Sequence, residues 1–166
     1  MDEVEHAYTP PQTMATSTVP AQVARYLDGT ELLTKTQALR LSTVNQAGWP
    51  HAALLSAGDM LAVAPGRIRF GVFPQSETTA NLARDGRLAL TLSVDGGMCE
   101  LLMRARRLEH ASPEVPLAVF EAEVEKVRMH AAPYATVTGG ITFALRDPQA
   151  VLRRWQRQIA ALRAAR

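Results

Sequence analysis

The sequence predicts a mainly β fold, a small antiparallel barrel of about six strands with helices at its periphery. Three observations predict it. Apolar residues alternate with polar or small ones in Leu39–Val44, Arg67–Val72 and Leu88–Val94, the period of two of a half-buried strand. Short turn sequences separate the strands, with Gln46-Ala47-Gly48-Trp49-Pro50, Pro65-Gly66 and Asp95-Gly96-Gly97 at hairpin-like spacing. The strand expected from Met98 to Glu109 is long, and long, bending strands suit a barrel better than a flat sheet.

Taken in order, residues 1–17 are small and polar with Pro10-Pro11 and no sustained period, and they read as a mobile arm before a single domain at 18–166. Pro20 suits the first position of a helix that carries Val23 and Leu27 on one face and stops at Gly29. Strands follow at Leu39–Val44, His51–Ser56, Met60–Ala64 and Arg67–Val72, with a bend at Gly58. Ser76 caps a helix that runs to Arg84 and ends at Asp85-Gly86. After the strands on either side of Asp95-Gly96-Gly97, Ser112-Pro113 reads as a cap with a first-turn proline. A helix to about Met129 is expected there, with Phe120, Val124 and Val127 at i, i+4 and i+7 as its buried stripe. Ile141–Leu145 reads as a last strand. Asp147-Pro148 opens a final helix with Leu152, Trp155, Ile159 and Leu162 on one face and arginines elsewhere.

Bulk properties narrow the function classes. The chain has 166 residues, 47% hydrophobic and 20% charged, with a net charge of +2, so the whole molecule is no electrostatic magnet for nucleic acid. Arginines gather at positions 153, 154, 157, 163 and 166, which reads as a solvated helix face; aromatic residues, 5% of the chain, are too few for a base-stacking surface. Cys99 is the sole cysteine, which excludes an intrachain disulfide, and it reads as a buried structural thiol. His6, His51, His110 and His130 lack the spacing of a metal site. No apolar run approaches the roughly 20 residues of a membrane helix, and the first residues lack a secretory pattern, so a cytoplasmic protein is expected.

The segment Ser76-Glu77-Thr78-Thr79-Ala80-Asn81 carries the chemistry. A helix N-terminus offers unpaired N–H groups and a partial positive charge, and Ser76, Thr78, Thr79 and Asn81 add hydrogen-bonding side chains, which together favour a phosphate. A solvated polar cap is the plainer reading of the same residues, and Glu77 favours it unless its carboxylate points away. Gly71 inside a strand marks a close approach, either of a planar ligand or of a bulky neighbour such as Trp49. Walker, Gly-x-Ser-x-Gly and dinucleotide glycine patterns are absent.

The order of these motifs resembles the pyridoxamine 5′-phosphate oxidase-like family of FMN-binding split barrels. The resemblance rests on Gly48-Trp49-Pro50-His51, Arg67-Ile68-Arg69-Phe70, Ser76-x-Thr78-x-x-Asn81-Leu82 and Asp85-Gly86-Arg87-Leu88-Ala89-Leu90. It covers residues 20–110 well and Gly140 to Trp155 more loosely. It implies a split β-barrel homodimer with two FMN sites at the subunit interface. The ring would lie on Ala53, Leu54, Leu55 and Ser56, bordered by Gly71 and Val72. The phosphate would sit by Ser76, Glu77, Thr78 and Thr79, with Asn81 bracing the loop. Two departures stand out. Glu77-Thr78 replaces an Arg-Lys pair, so the expectation is either weak FMN binding or a substitute charge from Arg69, Arg40 or a partner-chain arginine. The C-terminal Arg-Leu segment of the oxidase proper is also missing. The implied function is therefore the broader one: an FMN flavoprotein passing electrons from a reduced nicotinamide to a small acceptor. The alternative from another class is a non-enzymatic binding or sensor module that has lost FMN or holds haem or a deazaflavin.

Overall fold

The structure is a computed structural model and describes residues 8–109 and 112–166. Its strands are β1 (Gln12–Met14), β2 (Leu39–Val44), β3 (Pro50–Leu55), β4 (Met60–Ala64), β5 (Arg67–Val72), β6 (Arg87–Val94), β7 (Gly97–Arg107) and β8 (Ala118–His130). Its α-helices are α1 (Ala21–Tyr26), α2 (Glu77–Arg84) and α3 (Pro148–Ala164). Every strand pairing is antiparallel, in the order β3-β2-β6-β7-β8-β5-β4, with β1 added to β8. Strands β3 and β5 stand near opposite ends of that order yet line one groove, so the sheet curls on itself into a split barrel.

Two apolar cores hold it. The first fills the barrel: Leu39, Leu41, Leu90, Leu101 and Val127 are among its fully buried residues, with the rings of Phe70 and Phe120 stacked at 5.7 Å. The second lies under α3, where Trp155, Ile159 and Leu162 pack on Leu32, Ala57, Leu61 and Val119. Both long helices begin as the sequence predicts. Ser76 Oγ accepts from Thr79 N–H at 3.2 Å, and Asp147 Oδ1 accepts from Ala150 N–H at 3.0 Å with Pro148 next to it. Asp95 and Gly96 both have positive φ, 49° and 74°, the hairpin geometry that matches strand twist.

Three expectations are corrected. No helix runs from 113 to 129; the segment Ala118–His130 is β8, the strand between β7 and β5. Its register explains the misleading pattern. Leu102 pairs with Lys126 and Met103 with Val124, so Glu125 is an extra residue. Buried Phe120, Ala122 and Val124 are thus followed by buried Val127, and a bulge in a strand reproduces helical spacing. The expected strand Ile141–Leu145 is instead an extended strap tied at one bridge, Gln37 to Thr142, with Ala38 N–H donating to Ile141 O at 2.8 Å and Phe143 N–H to Thr36 O at 3.0 Å. Residues 12–14, read as part of a mobile arm, form β1 against Val127–Met129. The acidic residues Asp2, Glu3 and Glu5, with His6 and His110, lie outside the described residues.

Candidate functional site

At the seam of the curled sheet, α3 packs on β4 and β5 and borders, with residues of β3 and β5, a groove of about 480 Å³. Ala53, Leu54 and Leu55 of β3 form its apolar wall, and Gly71, Val72 and Phe73 the adjoining one. Ser76 and Thr78 bring in the start of α2, Glu114 to Leu117 cover the groove, and Arg154, Arg157 and Gln158 enter from α3.

Seven of the residues named from the sequence therefore line one groove: Ala53, Leu54, Leu55, Gly71, Val72, Ser76 and Thr78. The other four stand behind it. Ser56 donates through N–H and Oγ to Asp59 Oδ2, at 2.8 and 2.7 Å. Thr79 Oγ1 donates to Phe73 O at 2.7 Å and so locks the turn into α2. Asn81 is buried, and its Nδ2 donates to Thr43 Oγ1 at 3.0 Å, which ties α2 to β2. Glu77 is drawn aside, with Oε2 at 3.4 Å from His51 Nδ1, so its carboxylate does not face the groove.

Thr78 is placed differently. It is 2% exposed, lines the groove, and its hydroxyl has no hydrogen-bond partner among the described residues. The hydroxyl is not sealed in, because Trp155 Nε1 is the one fully enclosed unpartnered side-chain atom among the described residues; it stands beside the free N–H groups of a helix start, open to whatever enters the groove.

The positive charge comes from elsewhere than expected. Arg69 does not reach the groove: its Nε donates to Glu121 Oε2 at 2.8 Å and its Nη1 to Leu162 O at 3.0 Å. Arg40 does not line it either. The guanidinium groups that do belong to Arg154 and Arg157, and neither has an ion-pair partner among the described residues. A helical signal for this exists in the sequence. Positions 154, 157, 158 and 161 share a face beside the Trp155/Ile159/Leu162 stripe, so those arginines leave the helix next to its buried side. Asp59 and Leu117 have no such signal.

Gly71 admits a neighbour, but not Trp49, which is 71% exposed. A Cβ at residue 71 would lie 2.8 Å from Leu117 Cδ1, so the glycine lets Leu117 lie close on β5 as it stands. Beneath α3, buried Glu121 meets Arg67, Arg69 and Arg106 at 3.7, 2.8 and 2.7 Å. Burial pushes its carboxyl upward, yet hydrogen bonds from Arg69 and Arg106 prevail and hold it below the usual carboxylate range. Burial, helped by Glu100, pushes the Cys99 thiol up to about 11, away from any nucleophilic role. No cluster of three or more potential metal ligands exists among the described residues.

No family model matches the chain. It is 32% identical over 139 residues to the uncharacterized protein YclD of Bacillus subtilis (strain 168), an alignment spanning 82% of this chain and 90% of that protein. The chain belongs to the family of YclD. Among solved structures, HupZ of Group A Streptococcus matches with a TM-score of 0.54 at 14% identity, over 72% of this chain and 99% of that one. A Lactobacillus delbrueckii protein described as a "putative pyridoxamine 5′-phosphate oxidase" matches with a TM-score of 0.53 at 19% identity, over 69% and 97%. A conserved hypothetical protein of Mycobacterium tuberculosis matches with a TM-score of 0.51 at 16% identity, over 77% and 98%. At these identities the structural matches speak to the fold, which is the pyridoxamine 5′-phosphate oxidase-like split barrel.

Proposed function

We propose that this protein is a flavoprotein that holds FMN in the groove between β3, β5, α2 and α3 and passes electrons from a reduced nicotinamide to a small acceptor. One observation carries the reading. The groove is lined by the apolar residues of β3 together with Ser76, Thr78, whose hydroxyl has no partner among the described residues, and Arg154 and Arg157, which have no ion-pair partner among them. FMN divides the same way, into a flat apolar ring and an anionic tail. A volume of about 480 Å³ lies within the range of small-ligand sites.

The residues present fit the group. Ala53 to Leu55 supply a surface for the ring, while Ser76, Thr78 and the first N–H groups of α2 supply donors for phosphate oxygens. Arg154 and Arg157 supply the charge that a basic pair after Ser76 would otherwise bring. Val115, Pro116 and Leu117 exclude water from one side. The flavin, when bound, supplies the redox chemistry; the chain binds, orients and shields it.

A second copy of the chain completes this reading. The edge strand β3 is unpaired on one side among the described residues; Leu54 and Phe73 of the groove stand 56% and 68% exposed, and Trp49, just before β3, 71%. A homodimer with the groove at its interface would bury that apolar edge. One observation favours the alternative of a binding or sensor module without turnover: Leu117 occupies the face of Gly71 where the ring was expected to border β5.

The deciding experiment is the visible spectrum of freshly purified protein with the released ligand identified by mass, followed by addition of NADH or NADPH. Near one FMN per chain, bleached by a nicotinamide, supports the oxidoreductase. FMN that is bound but never reduced supports the binding module. Colourless protein that takes up no added FMN overturns the flavin reading.

A further inference from the structure

Gln158 is 7% exposed and lines the groove, and its amide can stand only one way round. Nε2 donates to Asp59 Oδ1 at 2.8 Å and to Gly58 O at 3.1 Å. Both partners are oxygens that only accept, so the nitrogen must face them and the oxygen must face away. Asp59 is itself held, because its Oδ2 accepts from Ser56 N–H and Oγ at 2.8 and 2.7 Å. Asp59 and Ser56 thus fix the orientation of Gln158 without the glutamine having to choose.

The amide oxygen left over has no partner among the described residues. It is not sealed in either: the one fully enclosed unpartnered side-chain atom among the described residues is Trp155 Nε1. An acceptor on a side chain more than nine-tenths buried, oriented by two hydrogen bonds and bordering a groove, waits for a donor that enters that groove. Arg154 and Arg157, on the same helix, address anionic atoms and cannot substitute for an acceptor.

We propose that Gln158 is a specificity-determining residue of this groove, its Oε1 accepting a hydrogen bond from the ring N–H of the bound flavin. The proposal rests on the flavin reading above and deepens it. An oxidised isoalloxazine carries a single N–H, the imide N3–H between two carbonyls, so Gln158 selects rings with an imide N–H over rings of the same shape without one. Ser56 and Asp59 are positioning residues that act through Gln158.

The test is equilibrium titration of flavin-free protein with FMN and with 3-methyl-FMN, followed by flavin fluorescence. Wild type is expected to prefer FMN by on the order of tenfold or more. Gln158→Ala removes the acceptor and makes room for the methyl group, so the preference should fall to near one. Ser56→Ala, which loosens Asp59 and leaves Gln158 in place, should lower it partway. Equal affinities in wild type overturn the inference and leave the flavin reading standing. So does a preference that survives in Gln158→Ala, or one that is undiminished in Ser56→Ala should the first variant not fold. Failure of wild type to bind either compound overturns the flavin reading itself and this inference with it.

Discussion

The indole of Trp155 occupies the space that any side chain at residue 58 would need: a Cβ placed on Gly58 falls 2.0 Å from Trp155 Cγ. This contact seats α3 on the β3–β4 turn, and Phe143 meets the other side of the indole edge-on at 6.2 Å. Arg154, Arg157 and Gln158 flank Trp155 on the helix, so the contact that builds the second core also aims the groove's polar groups.

Gly58→Ala is therefore expected to destabilise the protein by about 1–3 kcal/mol through overpacking, since a buried indole cannot step aside cheaply. FMN uptake should fall with it as α3 shifts. Urea unfolding with parallel flavin titration checks both. Wild-type stability would mean that α3 is not seated at this glycine.

Arg154 and Arg157 differ from the other arginines of α3 in lining the groove. Replacing both with alanine should weaken FMN binding at least tenfold while leaving riboflavin, which lacks the phosphate, nearly unaffected. The FMN affinity of wild type should also fall with added salt more steeply than that of the double variant. Equal losses for the two flavins would move the arginines away from the phosphate.

Much of this was legible in the sequence because the chain punctuates itself locally. Ser76, Asp147-Pro148 and Asp95-Gly96 act through neighbours a few residues away, and the structure uses each as a cap or turn. What the sequence concealed depends on partners far along the chain. β8 is covered on both faces, Phe120 by the barrel core and Val119 by the α3 core, so it lacks a clean alternation. The bulge at Glu125 then shifts its phase. Ile141–Leu145 has strand-like alternation but, among the described residues, bonds only to Thr36, Gln37 and Ala38, just ahead of β2, so a pattern exists without a ladder. The groove joins residues 76 and 78 to residues 154, 157 and 158, and nothing in either segment announces the other.

Glu121 makes stability depend on acid pH. Its carboxyl is held below the unfolded value of about 4.3, so its stabilisation is complete above that value and is lost as pH falls through the lower folded value. Glu121→Gln should flatten the decline of stability below about pH 4.5. At neutral pH it should cost about 1–3 kcal/mol, less than a fully buried pair would, because Arg67 and Arg106 can turn to solvent. Urea midpoints of both proteins between pH 7 and pH 3 test this; parallel curves would remove Glu121 from the acid response.

Cys99 lies at 0% exposure in the barrel core, with its thiol pushed up to about 11. In native protein at pH 8 it should resist an aromatic disulfide reagent and react promptly once urea unfolds the chain. Fast labelling under native conditions would mean that β7 opens far more readily than its packing implies.

Thr78 separates a ligand role from a structural one, because the two predict different losses. Its hydroxyl makes no hydrogen bond to the described residues, so Thr78→Val, of nearly the same shape, breaks none and should leave stability nearly unchanged. If that hydroxyl is kept to donate to a phosphate, the same change should weaken FMN by about fivefold to tenfold and spare riboflavin. Thr78→Glu goes further, placing a carboxylate where the phosphate would sit, and should abolish flavin retention. Thermal unfolding of the valine variant beside titrations with both flavins reads the two effects separately. Lower stability with unchanged FMN affinity would make Thr78 an ordinary core residue and leave the phosphate to Ser76 and the arginines.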